Sequence, residues 1–243
     1  MMKANKNWLP SPRTQALLNE PSKDSIGTGI IPICGSARSG KTTLALALID
    51  WVVCNTGRSI AFMGLPDIYL ESLPPHIKER ATNPPLADLS KQRDSVVLLD
   101  DTATSLSSRD STTGQGKMIS RIAGVISHLG LTIIMTTQSM AGVDLSLLRY
   151  TEMSPLVKRI DPMALRVERT EWSGELKEAQ SELAGYDYDR SLYWSVSDEL
   201  LCRHPFYDWM ANDVLSRPFR YLTQTELDGM IQGTNAKAKG AKK

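Results

Sequence analysis

The sequence predicts an α/β fold: a mainly parallel sheet between helices, followed by a small α-rich C-terminal extension. Three observations predict it. Short, almost wholly apolar runs at residues 30–34, 59–63, 95–99 and 131–137 have the length of buried strands. Helix-forming stretches alternate with them, as a parallel sheet covered on both faces requires. The runs end in glycine-rich or polar turns, where open α/β sheets present ligand-binding groups.

Size and composition bound the answer. At 243 residues, 41% hydrophobic and 23% charged, the chain reads as globular, which excludes collagen-like, coiled-coil and wholly disordered classes. No apolar run approaches the roughly 18 residues that span a bilayer. The first residues, MMKANKNWLPSPRTQ, have no apolar signal region, so no secretory leader is expected. Cys34, Cys54 and Cys202 are odd in number and lack C-x-x-C spacing. That excludes a disulfide framework, speaks against a cysteine zinc site and fits a reducing compartment.

Along the chain, residues 1–25 carry Pro10, Pro12 and Pro21 and read as an irregular arm. Ile30-Ile31-Pro32-Ile33-Cys34 is the first strand. Residues 42–54, rich in Ala and Leu, form a helix that Asn55-Thr56-Gly57 stops. Residues 59–63 are the second strand, and Gly64-Leu65-Pro66 breaks it. The Pro-rich stretch 66–93 holds a short helix near 76–81. Residues 95–99 are a strand ending in Asp100-Asp101, and 102–116 are a Ser/Thr/Gly-rich loop. Met118, Ile119, Ile122, Val125, Ile126 and Leu129 line one face of a helix over 116–129. Residues 131–137 are a strand. Residues 156–160 and 164–169 read as strands flanking a turn at Asp161-Pro162. Residues 175–183 read as helix, 186–194 as a hairpin, and 200–215 and 224–232 as short helices. The division expected is an N-terminal arm (1–25), a core (26–170), a C-terminal subdomain (171–233) and a basic disordered tail (234–243).

Charge is uneven. Lys3, Lys6, Arg13 and Lys23 face only Glu20 in the first 23 residues, and the tail carries Lys237, Lys239, Lys242 and Lys243 with no acid. Basic ends on a mildly acidic body suit contact with a polyphosphate, or serve as solubilising tails.

The strongest motif is Gly35-Ser36-Ala37-Arg38-Ser39-Gly40-Lys41-Thr42, which fits G-x-x-x-x-G-K-[ST]. Its glycines let successive N–H groups point at phosphate oxygens, and the following helix adds its positive end. The loop, with Thr43 after it, is the expected nucleotide cradle. Lys41 would reach the β- and γ-phosphates, and Thr42 would place its hydroxyl on Mg²⁺. Val96-Val97-Leu98-Leu99-Asp100-Asp101 delivers Asp100 for the same cation and Asp101 to orient or deprotonate an attacking water. Leu131-Thr132-Ile133-Ile134-Met135-Thr136-Thr137-Gln138 ends in Gln138, placed to touch both that water and the γ-phosphate. A second acid and a strand-end amide suit hydrolysis. The arginine-rich lid of a kinase and the Asn-Lys-x-Asp motif of a GTPase are absent from the sequence.

GSARSGKT, VVLLDD and TIIMTTQS, in this order and spacing, resemble the additional-strand P-loop ATPases. Within them the likeness is to the FtsK–HerA group, in particular the small viral genome-packaging ATPases of poxviruses and double-jelly-roll viruses. It covers about residues 26–160. It implies ATP and Mg²⁺ as ligands and a homo-oligomeric ring of five or six subunits. Such a ring drives double-stranded DNA into a capsid, gripping the backbone without sequence preference. Capsid or membrane-vertex proteins would be the other partners, and the host cytoplasm or the virion's packaging vertex the location. Two departures stand out. Many relatives have Glu where this chain has Asp101, and Arg-His where it has Ser127-His128. The resemblance also implies an arginine given in trans by a neighbour. Arg149 is the first candidate, then Arg109 and Arg121. A phage assembly or secretion motor, and a nucleotide switch or kinase, are the rival readings.

Overall fold

The computed structural model describes residues 8–22, 26–100, 124–142, 152–166, 168 and 170–223. Its strands are β1 (Gly29–Cys34), β2 (Ser59–Phe62), β3 (Ala81–Thr82), β4 (Ser95–Leu99), β5 (Thr132–Thr137), β6 (Leu156–Val157), β7 (Leu192–Ser195) and β8 (Leu200–Arg203). They form one sheet in the order β3-β2-β4-β5-β1-β6-β7-β8. The first six pair in parallel, and β7 and β8 run antiparallel. The expected α/β architecture is therefore present.

β5 lies between β1 and β4. Cys34 is level with Thr137, and Leu99 with Met135. The C-terminal ends of the three motif-bearing strands thus open at one edge.

Alternate residues of these strands serve opposite faces. Ile31, Ile33, Val96, Leu98 and Ile134 pack under helix α2 (Lys41–Asn55) and helix α1 (Pro12–Leu18). Ile30, Val97, Leu99, Ile133 and Met135 pack under helix α3 (Thr170–Ala184) and the short helix Ile126–Leu129. β1, β4 and β5 are buried along their whole length. This double covering is why they read as unbroken apolar runs. Among the described residues no helix is long and apolar enough to cross a membrane.

Three sequence expectations are corrected. The irregular arm contains helix α1, begun by Pro12 at its first turn, with Thr14, Leu17 and Leu18 buried. It is held by hydroxyl pairs, Ser11 to Ser195 at 2.9 Å and Thr14 to Ser154 at 2.8 Å. A seven-residue helix is too short to show a period. Second, the strand expected over 164–169 is a helix at Pro162–Leu165. Asp161 caps it by accepting from Met163 N at 2.7 Å, and Pro162 opens it, so the Asp-Pro pair starts a helix. Third, the C-terminal extension is not simply α-rich. Its hairpin spans 192–203, and residues 200–203, expected as helix, are edge strand β8 on the main sheet. Leu192, Tyr193 and Trp194 are buried strand formers, and that burial decides the pairing.

Candidate active site

The turn after β1 is shaped by two glycines. A Cβ on Gly35 would lie 2.7 Å from Lys158 Cβ and 2.8 Å from Ser39 Oγ. Gly40 has φ +93°, and a Cβ there would lie 2.8 Å from Arg190 O. Arg38 also takes a left-handed conformation, with φ 63°. The chain curls and enters α2 at Lys41 with its first N–H groups facing the curl.

Lys41 Nζ donates to Gly35 O and Ser36 O, both at 2.9 Å. The ammonium folds back into its own loop, where an anionic ligand can compete for it. Thr43 Oγ1 donates to Gly40 O at 2.8 Å and tightens the first turn of the helix.

Thr42 Oγ1 donates toward Asp100, 3.3 Å from Oδ1 and 3.2 Å from Oδ2. Thr136 Oγ1, from the last turn of β5, donates to Asp100 Oδ1 at 2.5 Å. A carboxylate and hydroxyl at one sheet edge form a hard oxygen donor set that fits Mg²⁺. Gln138 is exposed and follows Thr137, whose carbonyl accepts from Gly35 N at 3.2 Å. The structure therefore brings Lys41, Thr42, Asp100 and Gln138 to one edge, with Ser36, Ala37, Arg38, Ser39 and Thr43 completing the turn. Asp101, Arg109, Arg121 and Arg149 lie outside the described residues.

The far flank of the loop is walled by residues that the sequence motifs did not single out. Ser36 N donates to Arg159 O at 2.9 Å, and Asp161 N donates to Ser36 Oγ at 2.6 Å. Tyr188 Oη donates to Arg38 O at 2.9 Å. Beneath the loop Lys158 is fully buried. Its Nζ donates to Arg190 O at 2.5 Å and meets His204 Nε2 at 3.2 Å. Burial pulls the Lys158 ammonium down to about 7, with Asp189 opposing. Burial, helped by Lys158, pulls His204 down to about 4. A neutral imidazole can then give its Nδ1 proton to Pro205 O at 2.9 Å and accept from Lys158 at Nε2. Cys34, at the end of β1, is pushed up to about 12 by burial, reinforced by Glu168 and opposed by Lys41. Glu168 accepts from Ser139 Oγ at 2.9 Å and Met140 N at 3.0 Å, just past Gln138. For Thr136 the available signal was its place among the polar residues that end β5. Lys158 carried none.

At the other end of α2, Asp50, Cys54 and His76 offer three ligand-type atoms within 4.8 Å of one another. The buried Asp50 carboxylate is already paired with His76 Nε2 at 2.7 Å, which accounts for its burial.

No protein-family model matches the sequence, and no curated protein matches it. Solved structures match by fold. The DNA-packaging ATPase B204 from Sulfolobus Turreted Icosahedral Virus aligns with a TM-score of 0.50 at 16% identity, over 74% of this chain and 98% of that one. The genome-packaging NTPase B204 of Sulfolobus turreted icosahedral virus 2, in complex with ATP-γS, gives 0.51 at 15% identity, with the same coverage. EssC (ATPases 2 and 3) from Geobacillus thermodenitrificans gives 0.50 at 15% identity, over 85% of this chain and 45% of that one. The chain thus spans less than half of that EssC fragment. Its fold is the fold of P-loop ATPases.

Proposed function

We propose that this chain is an ATP-hydrolysing translocase that packages a double-stranded viral DNA genome into a capsid. One observation carries the proposal. Lys41 at the start of α2 folds into the phosphate loop, and its neighbour Thr42 donates to Asp100, just past β4, at an edge where β5 is inserted between β1 and β4. That insertion sets Gln138 beside the phosphate loop, where a hydrolase needs its water-ordering amide.

The roles follow from the chemistry. Backbone N–H groups of residues 35–43 and the start of α2 hold the phosphates. Lys41 leaves the Gly35 and Ser36 carbonyls for the β- and γ-phosphates. Thr42 and Asp100 would hold Mg²⁺, which would supply Lewis-acid stabilisation of the transferred phosphoryl group. Gln138 orients the attacking water, and Asp101 accepts its proton. A neighbouring subunit's Arg149, or else Arg109 or Arg121, stabilises the transition-state charge. This makes a ring of five or six copies the working unit. Backbone phosphates of duplex DNA are the substrate track, and capsid or vertex proteins are the docking partners, at the packaging vertex or in the host cytoplasm.

The likeness to the two B204 structures, which each align over 98% of their length, supports the packaging reading. The likeness to Thermomonospora curvata EccC (ATPases 2 and 3) in complex with a signal sequence peptide, over 83% of this chain, favours one second reading: an ATP-driven secretion motor acting on a polypeptide. ATPase turnover measured with no partner, with duplex DNA and with polypeptide over a salt series separates them. The packaging reading requires stimulation by duplex DNA that fades as salt rises. Stimulation by polypeptide alone would move the assignment to secretion. Turnover unchanged by Lys41→Ala would overturn both.

A further inference from the structure

The phosphate loop has two unlike flanks. On the β5–β4 side Thr42, Asp100 and Thr136 gather oxygens for a cation. On the β6–β7 side the loop is walled by residues 158–161 and 186–190. A cation bound to a nucleoside triphosphate sits at the β- and γ-phosphates. The nucleoside end must therefore leave away from Asp100, toward the second flank.

Tyr188 waits there, built unlike an ordinary surface tyrosine. The residue is 56% exposed, and its hydroxyl is fixed on the Arg38 carbonyl inside the loop at 2.9 Å. The Arg159 guanidinium lies 5.5 Å from the ring centroid and that of Arg190 lies 6.0 Å from it. Arg159 is itself anchored, donating to Leu183 O at 3.2 Å and to Tyr186 O. Arg190 is pinned by its carbonyl, which takes the Lys158 ammonium at 2.5 Å and abuts Gly40, while its side chain is exposed. An aromatic ring fixed by its hydroxyl, beside an anchored planar cation, at a phosphate site offers faces on which a base stacks whatever its identity.

We propose that Tyr188, flanked by Arg159 and Arg190, is the nucleoside platform of this site and takes the base-and-ribose end of a nucleoside triphosphate by stacking. The inference rests on the nucleotide reading of the loop above. Its sequence position, next to strands β7 and β8, means that the C-terminal hairpin completes the site that the phosphate loop begins.

The test compares two ligands that share phosphates and differ in the nucleoside: a non-hydrolysable ATP analogue and inorganic tripolyphosphate, each with Mg²⁺, by calorimetry. Tyr188→Ala is expected to weaken the analogue about tenfold, the scale of one lost base stack, and to leave tripolyphosphate within about twofold. Tyr188→Phe, which keeps the ring and drops the bond to Arg38, is expected to retain the analogue's advantage. Equal losses for both ligands in Tyr188→Ala would make the residue a mere prop for the loop and overturn the platform. No loss for the analogue, with tripolyphosphate still bound and still abolished by Lys41→Ala, would also overturn it while sparing the nucleotide reading. Wild-type protein binding neither ligand would sink the nucleotide reading itself.

Discussion

The Thr136 hydroxyl donates to Asp100 Oδ1 at 2.5 Å, across the boundary between β5 and β4. The inserted strand thus does more than separate two motifs, because it orients the carboxylate that also accepts from Thr42. Thr136→Val keeps shape and removes the donor. It is expected to raise the Mg²⁺ concentration for half-maximal turnover by about tenfold, the usual scale for losing a group that orients a metal ligand. Asp100→Asn should abolish Mg²⁺-dependent turnover. A Mg²⁺ titration of both variants checks this, and an unchanged midpoint in Thr136→Val would remove Thr136 from the site.

Gly35 has no room for a methyl group, since Lys158 Cβ and Ser39 Oγ occupy the space. Lys158 Cβ is not the free end of a flexible chain, so Gly35→Ala must reshape the loop. Its expected signature is selective. The unliganded protein loses about 1–3 kcal/mol from overpacking. The thermal stabilisation given by saturating ATP analogue and Mg²⁺ disappears, because that term depends on affinity. Thermal melts with and without the analogue measure both quantities. Full retention of the ligand-induced shift would show that the loop tolerates the change.

Arg58 is the deepest tie of helix α1 to the sheet. Its guanidinium is 3% exposed and donates to Leu17 O, Leu18 O, Asn19 O, Ser95 O, Gly130 O and Thr132 Oγ1 at 2.7–3.3 Å. Five of those acceptors are backbone carbonyls that lose this donor once the arginine is gone. Burial draws the group down to about 10, so it stays charged at neutral pH. Arg58→Met is expected to cost about 3–5 kcal/mol, the scale for breaking a buried charged network. Arg58→Lys should recover little, because one ammonium cannot match the fork. Urea unfolding of the three proteins gives the comparison, and a loss below about 1 kcal/mol would show that α1 is held by its leucines alone.

The parts of this fold that could be read from the chain are those whose physics is local. A glycine-lysine-threonine turn between a strand and an Ala/Leu helix identifies itself. So do strands buried on both faces, since Val96 to Leu99 and Ile133 to Met135 have no polar face to hide them. What was hidden depends on distant partners. Arg58 reads as a solvated charge after Gly57, and only the sheet brings it under six acceptors. Lys158 closes a two-residue strand, and nothing near it in sequence says that it is buried. The hairpin around Tyr193 and Trp194 is readable, but its joining of the main sheet is not, because its pairing partner, β6, is only Leu156–Val157. Asp161-Pro162 misled for a different reason: the same dipeptide that opens a turn also caps and starts a helix.

Lys158 gives the last prediction, and its sign can be worked out. Its ammonium titrates at 10.5 when free and about 7 when folded, because burial disfavours the charge. Below pH 7 both states are protonated, and the folded protein bears the full penalty of a buried charge. Between about 7 and 10.5 the unfolded chain holds a proton that the folded one has released, so stability rises with pH across that window. His204 acts the same way lower down, between about 4 and its free value of 6.5. Lys158→Met removes the upper titration and leaves Arg190 O without its closest donor. The difference in unfolding free energy, wild type minus Lys158→Met, is therefore expected to grow from pH 7 to pH 9, by up to about 1.4 kcal/mol per pH unit. Taking the difference cancels other alkaline groups. Urea midpoints at pH 6, 7, 8 and 9 supply the curve. A difference that stays flat would mean that Lys158 keeps its proton in the folded state, and one that falls would mean that its charged form is the stabilising one.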